Sequence, residues 1–163
     1  MGRLPEMFAG RRISFRLPYS LPGELIVQPQ TSGVQFPDAT FLQTTDRPFE
    51  IHRMIPRLTQ LDANGVPVTP QPAFDFISAF VRLMIRDVSK NEQLMKSPQL
   101  VKTMVKGTTE QTWEFAEPYT IVRQEGFQIS VDNTAAGGTF AQVRVEIDFQ
   151  GFLLVIAPPS EAR

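Results

Sequence analysis

The chain has 163 residues, enough for one domain with a core that needs no staples. It has no cysteine, which excludes disulfides, thiolate metal sites and a cysteine nucleophile. A formal net charge of -1 argues against a nucleic-acid binder, and no apolar run of about 18 residues suggests a transmembrane helix.

The first residues, Met1 to Phe8, contain no continuous apolar stretch, so no signal peptide is expected. Met1-Gly2 is followed by Glu6 where a myristoylation signal has a hydroxyl residue. Residues 1–23 read as an extended arm. Arg3, Arg11, Arg12 and Arg16 face only Glu6, and Pro5, Pro18 and Pro22 oppose helix. Phe8, Ile13, Phe15, Leu17 and Tyr19 lie among them, more large apolar groups than a disordered tail carries. The expectation is a partner-binding segment made by Arg3, Phe8, Arg11, Arg12, Ile13, Phe15 and Arg16. The plainer alternative is that the alternating Arg12–Leu17 stretch is the first strand of the domain.

Residues 24–163 then form the domain. Glu24–Gln28 reads as a short strand, and residues 29–40 as a loop of turn formers. Phe41–Thr44 can pair. Pro48–Ile55 is a strand whose continuation Pro56 turns into an edge or a bulge. Asn64-Gly65 is a two-residue hairpin signal. Over 76–88, Val81, Leu83 and Ile85 alternate with Arg82, Met84 and Arg86. That predicts a strand, and it outweighs the helical spacing of Phe76, Phe80 and Met84. Ser97-Pro98 predicts the start of one short helix, with Leu100, Val101, Met104 and Val105 as its stripe and Gly107 as its end. Thr112–Phe115 and Pro118–Arg123 are further strands.

The period of two is clearest in the last quarter. Phe127, Ile129 and Val131 oppose Gln128, Ser130 and Asp132. After a Gly137-Gly138 loop, Val143, Val145, Ile147 and Phe149 oppose Arg144, Glu146 and Asp148. Successive strand side chains point to opposite faces, so these are half-buried antiparallel strands. Gly151 predicts a bulge or bend, and Phe152–Ile156 is apolar on both faces. With 14 prolines, 13 phenylalanines and long crossings, the class is all-β: an antiparallel β-sandwich of jelly-roll type with one short helix and an extended N-terminal arm.

Chemistry is sparse. His52 is the one histidine, so any triad, His-based metal site or cupin-like centre would have to be built around it. A lone strand histidine reads as a surface or interface residue. Glu110, Glu114 and Glu117 surround Trp113, with Tyr119 near, a pattern that can make a sugar platform but more often a core tryptophan with solvated acids. Asp62-Ala-Asn-Gly65 lacks the remaining ligands of a calcium loop and reads as a turn. No catalytic residue, metal site or cofactor is expected.

Three stretches together resemble the virion structural proteins of tailed phages, in particular jelly-roll capsid decoration (cement) proteins. They are Thr45–Arg53, Trp113–Arg123, and Glu125–Asp132 with Val143–Phe152. The resemblance implies a non-enzymatic protein on the outer capsid surface of the virion that stabilises contacts between capsomers. It implies the major capsid protein and further copies of the chain, as dimer or trimer, as partners, with no direct contact to nucleic acid or membrane. A phage tail or baseplate component, or a carbohydrate-binding β-sandwich module, is the alternative.

Overall fold

The computed structural model describes residues 13–27, 38–43, 47–88, 92–95, 97–105, 111–121, 126–135 and 142–157. Nine strands and two short helices are seen among them. They are β1 (Ile13–Val27), β2 (Asp38–Gln43), β3 (Phe49–Leu61), α1 (Phe74–Ser78), β4 (Val81–Asp87), β5 (Glu92–Gln93), β6 (Gln99–Leu100), α2 (Val101–Met104), β7 (Trp113–Ile121), β8 (Gly126–Asn133) and β9 (Gln142–Ile156). All pairings are antiparallel. A four-stranded sheet has the order β1-β9-β3-β7, and a five-stranded sheet the order β2-β8-β4-β5, with β6 also on β4. None of the helices among the described residues is long and apolar enough to cross a membrane.

The alternation read from the sequence holds. Val81, Leu83 and Ile85 of β4, Phe127, Ile129 and Val131 of β8, and Val143, Val145, Ile147 and Phe149 of β9 are buried. With Phe49, Ile51 and Met54 of β3 they form one core between the two sheets. Phe127 of one sheet meets Phe149 of the other at 5.1 Å between ring centroids. Tyr119 of β7 donates to Asp87 Oδ2 of β4 at 2.6 Å, a second bond between the sheets.

Several expected boundaries move. The arm and the sandwich were expected to part after residue 23, but Gly23 pairs with Ile147 in the middle of β1. The alternating Arg12–Leu17 stretch thus enters the sheet from Ile13 onward, and residues 1–12 lie outside the described residues. The stretch expected as one strand over 76–88 begins as α1. Its turn drives Ile77 into the core and sets Phe76 against Phe80 at 5.5 Å, the helical spacing the alternation had outweighed. The predicted helix at Ser97-Pro98 starts later and is shorter. Gln99 and Leu100 stay extended to pair with Leu83 and Arg82, so Leu100 takes the N-cap position with φ -66° and ψ 133°. The Ser97 hydroxyl accepts a bond from Gln99 Nε2 at 2.9 Å instead of capping. Val105 ends the helix, and Gly107 is outside the described residues.

The bulge is on β3, not at Gly151. β9 runs unbroken through Gly151, while the register of β3 shifts between Ile51 and Arg53 against both neighbours. Pro56 behaves as its chemistry requires. It pairs with Ile147 of β9, and β7 reaches only to Met54, so the side of Pro56 that lacks an N–H faces no strand. Asn64-Gly65 sits in a longer turn than a two-residue hairpin: Leu61 bridges to Pro67, and the Asp62 amide donates to the Val66 carbonyl at 2.8 Å. Asp62 Oδ1 accepts from the amides of Asn64 and Val66 at 2.8 and 2.9 Å, and only Gly65 has positive φ, +80°.

Candidate functional site: the end and outer face of the four-stranded sheet

The bulge decides which side chains reach the outer face. Ile51 and Met54 both point into the core, so His52 and Arg53 share the opposite face. There Glu50 is the hub. It lies between Phe49 and Ile51 and is only 8% exposed. Arg16 of β1 donates through Nε to Oε1 at 3.2 Å and through Nη2 to Oε2 at 3.5 Å. His52 Nε2 sits 2.9 Å from the same Oε1, and since a carboxylate can only accept, the ring donates. The His52 ring stands edge-on to Phe152 of β9 at 5.2 Å. Beside this cluster runs a polar belt. The Ser20 hydroxyl donates to Asp148, Gln150 Nε2 donates to Asp148 Oδ2 at 2.9 Å, and Arg53 Nε donates to Gln150 Oε1 at 2.8 Å. Three strands are thereby fixed side by side.

Burial raises the proton affinity of Glu50, but the hydrogen bonds from His52 and Arg16, with the charge of Arg16, outweigh it. The carboxyl is held below its ordinary value. Its stabilising contribution is therefore complete above the unfolded-chain value of about 4.3 and is lost as pH falls through the lower folded value. The urea midpoint of the wild-type chain is expected to fall more steeply between about pH 5 and pH 3 than that of Glu50→Gln. Parallel slopes would show that the cluster does not couple to folding.

The second feature is apolar. Tyr19, Leu17 and Phe15 of β1 lie across from Gly151, Leu153 and Val155, on the same side as the core residues Leu21 and Phe149. Yet Phe15 is 52% and Leu17 37% exposed. β3 begins opposite Leu153, so β1 and β9 continue past it as a two-stranded ribbon. The inner face of that ribbon runs out from the sandwich with its apolar side chains still attached. Phe152–Ile156 lies between β1 and β3, which accounts for its apolar character on both faces. Leu154 is buried, and its neighbours in this run are half-buried.

The expected site residues divide accordingly. Arg3, Phe8, Arg11 and Arg12 lie outside the described residues, as does Glu110. Ile13 and Phe15 are on the ribbon, and Arg16 is committed to Glu50. His52 is a paired, half-exposed surface residue. Ser20 lines the same open depression but donates to Asp148, and among the described residues no hydroxyl is bonded to His52. Trp113 and Phe115 stack at 4.6 Å against the core, while Glu114 and Glu117 are exposed. Among the described residues no group of three or more metal-ligating side chains comes together. The sequence reading missed Glu50 as a hub, because a strand acid between two apolar neighbours looks like a solvated one.

No family model matches the chain, and no curated protein matches it. The fold is similar to a chain of the solved Cyanophage Pam1 capsid asymmetric unit, with a TM-score of 0.47 and 15% sequence identity over 89% of this chain and 95% of that one.

Proposed function

We infer that the chain is a non-enzymatic virion structural protein that sits on the outer surface of a phage capsid and stabilises contacts between capsomers. Its partners in this reading are the major capsid protein and further copies of itself. The observation that carries the reading is the exposed end of the ribbon. Phe15 and Leu17 belong by parity to the buried side of the sheet, yet they are 52% and 37% exposed. Large exposed apolar side chains grouped at one end of a domain mark a surface built to be covered. The jelly-roll reading is supported by strand order. The chain changes sheet at each step from β1 to β4, stays in one sheet through β5 and β6, and changes sheet again at β7, β8 and β9. Two interleaved Greek keys give that pattern.

In this reading Arg3, Arg11 and Arg12 set register against the partner, while Phe8, Ile13 and Phe15 fill its grooves. Many modest contacts repeated over a shell give avidity without one strong site. The test is co-sedimentation with assembled shells of the parent virus. The wild-type chain is expected in the pellet, and Phe15→Asp is expected to need about tenfold more protein for the same occupancy, with unchanged melting. A chain lacking residues 1–11 should fold normally and bind more weakly. Its residual binding should weaken with salt, since exposed charges are screened over about 10 Å at 0.1 M. A wild-type chain that stays in the supernatant overturns the reading.

A further inference from the structure

We propose that a cleft at the opposite edge of the sandwich binds a neutral saccharide, independently of any role on a shell. Among the described residues β7 is the last strand of its sheet and pairs only with β3. Across from it stand the residues after β5 and the β6–α2 corner of the other sheet, and neither β5 nor β6 pairs with β7. Among the described residues no strand joins the two edges here, and a cleft of about 560 Å³ lies between them. That is within the roughly 300–1,000 Å³ usual for small-ligand sites.

The lining is divided by chemistry. Met95 and Met104, both nearly buried, are apolar walls, and Trp113 is half-buried beside them. Phe115 lies against the indole with centroids 4.6 Å apart and planes inclined by 40°. That contact restricts the indole before any ligand arrives, which lowers the entropy cost of binding. The polar lining is made of acceptors. Thr103 gives its hydroxyl proton to the Leu100 carbonyl at 2.8 Å, so its oxygen is left to accept. Gln99 uses its amide nitrogen on Ser97, at 2.9 Å to the hydroxyl and 3.3 Å to the carbonyl, which turns its Oε1 to acceptor work. Glu114 also borders the cleft, but strand alternation turns its side chain to the face opposite Trp113, so its carboxylate is not one of these acceptors.

An aromatic face with methionine walls and a set of acceptors fits a ligand with an apolar ring face and hydroxyl donors on its edge. A pyranose has both. Thr103 Oγ1 and Gln99 Oε1 are acceptors, and ionised phosphate or sulfate oxygens only accept, so the ligand class is neutral oligosaccharide. A purely apolar ligand would leave the acceptors unpaired on binding.

Trp113 is the sole tryptophan of the chain, so its emission reports on this cleft alone. The full chain is titrated with maltotriose, cellotriose and chitotriose to about 10 mM, a range that covers weak sites. At least one is expected to shift the emission saturably, and glucose 6-phosphate is not. Thr103→Ala and Gln99→Ala both keep the indole and are each expected to weaken the response about 3- to 10-fold, the worth of one lost hydrogen bond. Trp113→Ala, checked by circular dichroism for retained fold, should abolish calorimetric heat with the same sugar. No saturable shift with any of the three sugars overturns the proposal. So does a shift that both polar variants leave unchanged.

Discussion

Gly151→Ala is expected to destabilise the fold by about 3 kcal/mol or more, although alanine is the smallest possible change. Gly151 lies in mid-strand in β9, with β1 on one side and β3 on the other. A Cβ there would stand 1.9 Å from the Glu50 carbonyl oxygen and 3.0 Å from Ile51 Cα. Both are backbone atoms, so no side chain can swing away. Relief requires moving β3 at its bulge, which pulls Glu50 off Arg16 and His52. Urea unfolding should show a lower midpoint with an unchanged slope. Gly65→Ala separates the two uses of glycine. At φ +80° with nothing within 4 Å, it should cost only the backbone strain, about 1 kcal/mol. Equal costs at the two positions would mean that β3 and β9 do not approach as closely as described.

The ring pair that joins the sheets should be the other large effect. Phe127 and Phe149 are fully buried, and each replaced by alanine is expected to cost about 3–5 kcal/mol through lost burial and the cavity left behind. The two changes should not add. Once one ring is gone, part of the second ring's contact is gone with it, so the double variant should be about 0.5–1.5 kcal/mol more stable than the sum predicts. Additivity within about 0.5 kcal/mol would show that the two rings act as separate core residues and not as a link between the sheets.

Arg82 and Asp132 illustrate how far a pattern of faces reaches. Alternation puts both on the side away from the core, and the register of β4 against β8 sets them opposite each other, where Arg82 Nε donates to Asp132 Oδ2 at 3.0 Å. Asp132 is nevertheless fully buried, and its Oδ1 has no hydrogen-bond partner. The pairing depends on register between strands far apart in the chain. Burial depends on what the rest of the chain lays over them. Neither quantity is local, so neither can be read from residues 82 and 132 alone.

The chain's local chemistry determined which face of each strand is buried. Period two is a property of the extended backbone itself, and Phe127–Val131, Val143–Phe149 and Val81–Ile85 obeyed it. It also determined the role of Pro56, because a missing N–H is tolerated only where no strand needs it. Tertiary structure decided the rest. Whether Phe76–Ser78 became helix or strand turned on Ile77 finding the core. Whether Ser97 capped a helix turned on Gln99 and Leu100 finding β4. Gly151, Glu50 and His52 acquired their roles only when β3 and β9 came together at a bulge. Phe15 and Leu17 count as buried by parity, but they stand at the end of the four-stranded sheet, Leu17 level with the first residue of β3 and Phe15 beyond it, and they stay partly exposed. In each case a long-range contact outweighed a local preference of about 1 kcal/mol or less, the usual scale of such preferences.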